Sequence, residues 1–379
     1  MQKIYFDNAA TTPLDKEVVE VMANHMLENF GNPSSSHEYG RKAKASVEMV
    51  RKHIAKYFNC AASEVIFTAG GSEADNLILI NAVKNLGVER IISAAIEHHA
   101  VLHTIEFLKK DFGIEAEFVP IDRFGEVDYD ALDRLLGESD KKTLVSLMLV
   151  NNELGNILDL ERVIPICKKH SALFHSDTVQ GISHVPLDLS KSPIDFIAAS
   201  AHKFHGPKGV GFAIIKKGFK IEPILHGGEQ EMGARAGTEN THSIVGMDKA
   251  LSLAMSNFNE DKAYISGLKK YFIDQISDRI KDIGFNGLSA DLDKSAFHIL
   301  NVRFPKPMPM LLFNLDLIGI AASGGSACQS GSNKGSHVLA ELLSEEESDH
   351  TSVRFSFSRF NTKDEIDYAI KEIEKIYSR

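Results

Sequence analysis

The chain has 379 residues, 43% of them hydrophobic and 25% charged, with a formal net charge of −10. That composition excludes wholesale disorder, and at ~100–200 residues per domain it predicts one large domain plus a smaller one, or two comparable ones. The acidic balance and the lack of a local basic face argue against a nucleic-acid partner. Cys60, Cys167 and Cys328 are odd in number and irregularly spaced. They do not form a disulfide framework, so a reducing compartment is expected, and the chain reads as cytoplasmic. The first residues show no signal-peptide pattern, and no segment approaches the ~20 apolar residues of a membrane helix, so no membrane partner is expected.

In chain order, residues 64–68 read as a strand and residues 73–86 as a helix. Further strands are predicted at 90–94, 117–121, 143–150, 172–176, 195–200 and 210–215. Helical stretches between most of them imply an α/β fold with a mostly parallel sheet buried on both faces. After about residue 251 the pattern changes. A long helix over 260–283 leads to apolar runs at 298–304, 317–323 and 353–358, then an amphipathic helix over 362–377. We expect an N-terminal segment (1–15) packing with the smaller domain, a large domain (16–255) and a small α+β domain (256–379).

Three features carry chemistry. Thr68-Ala69-Gly70-Gly71-Ser72 joins a strand to a helix, with Ser72 suited to cap it and Asp75 three residues on. Paired glycines at a helix N-terminus can cradle an anion, although this segment taken alone reads more readily as a plain glycine turn with a capped helix. Lys203 follows an apolar run and is flanked by His202 and His205. A partly desolvated lysine there can form a Schiff base, or it is a solvated loop lysine. Asp177 closes another predicted strand, at the edge where α/β sheets bind ligands. Together these supply the lysine, the ring-nitrogen carboxylate and the phosphate cup that pyridoxal 5'-phosphate requires.

With those residues in hand, the chain resembles the cysteine desulfurases of the NifS/IscS type, class V aminotransferases of the fold-type I pyridoxal enzymes. The likeness runs from Tyr5-Phe6-Asp7-Asn8-Ala9-Ala10-Thr11-Thr12-Pro13, through Phe30-Gly31-Asn32-Pro33-Ser34-Ser35, to Val353-Arg354-Phe355-Ser356. It implies that Lys203 carries the cofactor, Asp177 meets its ring nitrogen and Gln180 its ring hydroxyl. His98 would stack on the ring and move a proton, and Asn152 would stand near the hydroxyl and substrate. Gly71, Ser72, Ser200 and His202 would hold the phosphate. Thr238 would reach the phosphate of a partner subunit, which implies a homodimer with shared sites. Arg354, and more weakly Asn32, would bind the substrate carboxylate.

Cys328, in Ser323-Gly324-Gly325-Ser326-Ala327-Cys328-Gln329-Ser330-Gly331, resembles the sulfur-carrying cysteine of this family. The implied activity is conversion of L-cysteine to L-alanine through a Cys328 persulfide, supplying a sulfur-acceptor protein for Fe–S cluster or other cofactor synthesis. Another class V activity is the alternative: selenocysteine lyase, cysteine C–S lyase or aminotransferase. Gly227-Gly228-Glu229-Gln230-Glu231-Met232 departs from the family's Gly-Gly-Gly-Gln-Glu-Arg at Glu229 and Met232.

Overall fold

The computed structural model describes residues 3–324 and 335–378. Cys328 lies outside the described residues. A seven-stranded sheet dominates, in the spatial order Val65–Thr68, Gly211–Ile215, Phe196–Ser200, Leu173–Asp177, Thr143–Ser146, Arg90–Ser93, Glu115–Phe118. Five of these strands are buried at every residue. Helices cover both faces, which is why the strands read as unbroken apolar runs rather than alternating ones.

Gly211–Ile215 is antiparallel to both of its neighbours. Only about ten residues separate Ser200 from Gly211, short of the dozen or more that a parallel crossover needs. The chain instead makes a short 3-10 turn, Ala201–Lys203, and returns beside the strand it has left. That reversal puts Lys203 at the carboxyl edge of the sheet. Val65–Thr68 pairs antiparallel to the returning strand, so Thr68, Ser200 and Asp177 end at the same edge.

Two predicted strands move. The one expected at 117–121 lies at Glu115–Phe118, ahead of Pro120, which has no N–H to donate. The one expected at 143–150 ends at Ser146. Leu149 still donates its N–H to Asp177 O at 2.9 Å, but Met148 turns its N–H to Glu97 Oε1 at 2.7 Å. A buried side chain thus replaces a strand on that side. The helix expected over 260–283 is Phe258–Arg279.

A second apolar core gathers Ile4 and Phe6 with residues from Ile265 to Ile373. Ser352–Ser356 pairs with Ile299–Arg303, and that strand with Gly284–Phe285. Ile4–Tyr5 pairs with Ile320–Ala321, and the Phe6 ring packs edge-on against Phe272, Phe355 and Phe357. From this anchor the chain crosses to the first sheet, where Thr12 N–H meets His202 O at 2.9 Å. The crossing carries the Ala9 and Ala10 carbonyls to the end of the Lys203 side chain.

Candidate active site

A cavity of about 190 Å³ opens at the carboxyl edge of the sheet. Gly71, Ser72, His98, Asn152, Asp177, Gln180, Ser200, His202, Lys203 and Arg354 all line it. Ten sequence-predicted residues from six separate stretches therefore converge. Ala9, Ala10, Asp75, Met148, Val150 and Val179 complete the wall.

The glycine turn differs in detail from expectation. Gly70, not Ser72, is the N-cap, and no side chain caps the helix Gly71–Lys84. Its first intrahelical bond is Ala74 N–H to Gly70 O at 3.1 Å, so the N–H groups of Gly71, Ser72 and Glu73 precede it. Ser72 is shifted into the first turn because Gly70 takes a backbone, φ +152°, that L side chains rarely adopt. A Cβ on Gly71 would lie 2.4 Å from Val179 Cγ2. The turn thus keeps backbone donors, uncapped and close, at a positive helix end.

Lys203 Nζ donates to Ala9 O at 2.6 Å and Ala10 O at 3.0 Å. His202 Nδ1 lies 3.1 Å from Thr11 Oγ1, and burial, then Lys203, pushes its ring down to about 4. The N-terminal segment therefore holds both residues. The sequence signal for this was the Asn8-Ala9-Ala10-Thr11-Thr12 run itself, which periodicity alone leaves unassigned.

Asp177 is almost wholly buried and accepts the Val179 N–H at 2.8 Å. Burial, then nearby Asp75, raises its carboxyl to about 7. Behind it lies a group that sequence reasoning missed. His175 shares the strand face of Asp177 two residues earlier; its Nε2 is 3.3 Å from Asp75 Oδ1 and its Nδ1 2.8 Å from Ser146 Oγ. Burial lowers His175 to about 4 and raises Asp75 to about 8. Glu97 is likewise raised by burial.

In the cofactor-free protein the folded chain therefore keeps a proton on Asp75 above the ordinary carboxylate value of 3.8. The folded pKa is raised, so the stability it contributes is greatest on the acid side and fades as pH rises through about 8. The slope is up to about 1.4 kcal/mol per pH unit for one proton. Asp75→Asn should flatten it, so chemical denaturation between pH ~6 and ~8 should show the wild type losing more stability than the variant. Parallel curves would contradict the proton on Asp75.

His98 caps the helix His99–Phe112, its Nδ1 accepting the Ala100 N–H at 3.1 Å. Burial, then Lys203, pushes it down to about 4, so it is neutral with its proton on Nε2. Arg354 is 2% exposed. Its guanidinium donates to Asn152 O at 2.8 Å and Asp7 Oδ1 at 2.9 Å, while Nε has no hydrogen-bond partner among the described residues. A buried, unpaired N–H on a cavity wall is one that a ligand carboxylate would satisfy.

Two predicted residues are elsewhere. Asn32 is exposed and its Oδ1 caps Ser34 N–H at 2.9 Å. Thr238 lines a separate cleft of about 170 Å³ with Arg235 and Glu231. Its loop is nonetheless tied to the helix that follows the glycine turn, because Arg235 Nε donates to Glu73 Oε1 at 2.8 Å, and it is braced within itself where Gln230 Oε1 accepts the Gly237 N–H at 3.1 Å.

The class V aminotransferase family model matches residues 4–369. The chain is 39% identical to cysteine desulfurase IscS of Dictyoglomus turgidum, over 100% of this chain and 95% of the relative. It is 41% identical to putative cysteine desulfurase IscS 1 of Bacillus subtilis, over 100% of both chains. A solved NifS-like protein superposes with a TM-score of 0.90 at 35% identity, covering 100% of both chains. The chain belongs to the cysteine desulfurases of the class V aminotransferase family.

These desulfurases use pyridoxal 5'-phosphate, and the cavity of this one fits that group on its own chemistry. An uncapped helix end, a lysine held by two carbonyls and a buried carboxylate face one space. Both departures in the desulfurase's glycine-rich loop, Glu229 and Met232, are exposed, whereas the glutamate that keeps the family pattern is buried. Glu231 is buried in a pair with Arg51 at 2.8 Å and accepts the Phe67 N–H, whereas Met232 is 60% exposed. Burial pushes the Cys60 and Cys167 thiols up to about 12, which disfavours their thiolate forms. Cys167 lies in the helix Leu160–Lys169, whereas Cys60 falls just past the end of Glu38–Phe58 rather than within a helix.

Proposed function

We propose that this chain converts L-cysteine to L-alanine and takes the sulfur onto Cys328 as a persulfide. The observation that carries the reading is the meeting of Lys203, Asp177, Arg354 and the uncapped Gly71–Ser72 turn in one cavity. Gly71, Ser72, Ser200 and His202 would hold the cofactor phosphate, Asp177 its ring nitrogen, and Gln180 and Asn152 its ring oxygen. Lys203 would hold it covalently until substrate displaces the amine. Bound there, the cofactor supplies an electron sink for the charge left at the substrate Cα.

The chain's own groups do the rest. Arg354 presents its free Nε–H to the substrate carboxylate and so fixes which Cα bond faces Lys203. Lys203 Nζ takes the Cα proton; its anchoring carbonyls hold it in reach. His98 offers a hydrogen bond from Nε2–H, and taking up a further proton, at Nδ1, would require release of the Ala100 cap. The Cys328 thiolate attacks the substrate sulfur. The carbon–sulfur electron pair returns to Cβ, which takes a proton and becomes the alanine methyl; Lys203 gives a proton back to Cα as L-alanine leaves, and the transferred sulfur stays on Cys328. An acceptor protein then removes it, for Fe–S cluster or other cofactor synthesis. The chain works in the cytoplasm, in keeping with its sparse free thiols; among the described residues no helix is long and apolar enough to cross a membrane.

The active species is a homodimer, with Thr238 completing the partner's phosphate site. Equal activity from a monomer in sedimentation under assay conditions would refute it. The reaction itself is tested by incubation with L-cysteine and a reductant, measuring alanine, sulfide and pyruvate together. Alanine matching sulfide is expected; pyruvate in its place would mean C–S lysis.

A further inference from the structure

Gln180 has two terminal atoms and the structure fixes which is which. One faces Ala9 O at 2.8 Å, an acceptor only, so it is the nitrogen. The other is therefore oxygen, and it lies 3.2 Å from His298 Nε2. An oxygen there must accept, so His298 carries its proton on Nε2 and leaves Nδ1 bare. Nδ1 has no hydrogen-bond partner among the described residues.

His184 stacks on that ring with centroids 3.6 Å apart and planes 16° from parallel. Its Nδ1 lies 3.1 Å from Gln180 O, another obligate acceptor, so His184 also has an assigned proton. Lys203, Lys269 and Arg354 bear on His298 from three different elements. Two imidazolium rings in this contact, 2% exposed at His298, would repel strongly. Burial, then His184, lowers His298 well below its ordinary value, so the stack is neutral. Gln180 itself lines the cofactor cavity. With its oxygen committed to His298 and one N–H to Ala9, only the second N–H is left for the cavity.

We propose that His298, backed by His184, is a positioning residue that locks the Gln180 carboxamide so that it can only donate into the cofactor cavity. The inference rests on the pyridoxal reading above for its consequence, but not for the proton on His298. A donor aimed at the ring oxygen stabilises negative charge there. It lowers the proton affinity of the oxygen and of the cofactor nitrogen beside it. Freed from His298, the carboxamide can turn its oxygen inward and lose that effect.

Two measurements test this, the first on cofactor-free protein. Side-chain ¹⁵N NMR, with His298 assigned by loss of its signals in His298→Gln, should show the neutral Nε2–H form from pH ~5 to ~8. An Nδ1–H form or a protonated ring in that range would overturn the proposal whatever the cofactor. The second is the pH titration of the visible band of the loaded enzyme. His298→Phe keeps a ring for His184 but no donor, and should raise the midpoint by roughly 0.5–1 pH unit. His298→Gln, whose amide can donate, should bring it back. An unchanged midpoint in His298→Phe with native melting would overturn the locking role. If His298→Phe does not fold, the NMR result decides.

Discussion

Lys203→Ala is expected to remove L-cysteine turnover and the borohydride-fixable attachment of the cofactor in one change. Removing the base alone costs roughly 10²–10⁴-fold. The covalent hold is lost with it, and Asp177 and the Gly71–Ser72 turn cannot replace a nitrogen that both attaches and takes a proton. The fold should survive, because Ala9 O, which Lys203 caps together with Ala10 O, also accepts from Gln180 Nε2. Circular dichroism should be unchanged while alanine production falls to background. A Lys203→Ala protein with wild-type desulfuration would remove the assignment.

Cys328→Ala should fail at a later point. Everything before sulfur transfer depends on the cavity residues named above, and none of those steps calls on the Cys328 thiol. The variant should load cofactor as the wild type does and change its visible spectrum on adding L-cysteine. It should release neither alanine nor sulfide above background. Cys328→Ser should behave alike, since a neutral hydroxyl is a far poorer nucleophile toward sulfur than a thiolate. Pyruvate and sulfide at the wild-type rate from Cys328→Ala would replace the persulfide route with lysis.

The sheet was readable because its strands are buried on both faces, which leaves apolar runs too short for helices. Local boundaries were less so: nothing in Leu147-Met148-Leu149-Val150 says that Glu97 will take the place of a strand. The ten cavity residues were named from motif and resemblance, and the structure brings them to one space. The supporting groups were hidden for a physical reason. Asp75 reads as a helix residue, His175 as a strand residue, and His184 and His298 as unrelated histidines over a hundred positions apart. Their pairings exist only once the strands align and the second core docks. Ser72 was misjudged as a cap because residue type favours serine there, whereas the φ of Gly70 decides it.

The account turns on where the sulfur goes. Wild-type enzyme given L-cysteine without reductant, then digested and weighed by mass spectrometry, should carry one extra sulfur on the peptide holding Cys328. The peptides with Cys60 and Cys167, whose thiols burial holds up near about 12, should carry none. Alanine formed with no sulfur on Cys328, or with sulfur on either of the other two, would contradict it.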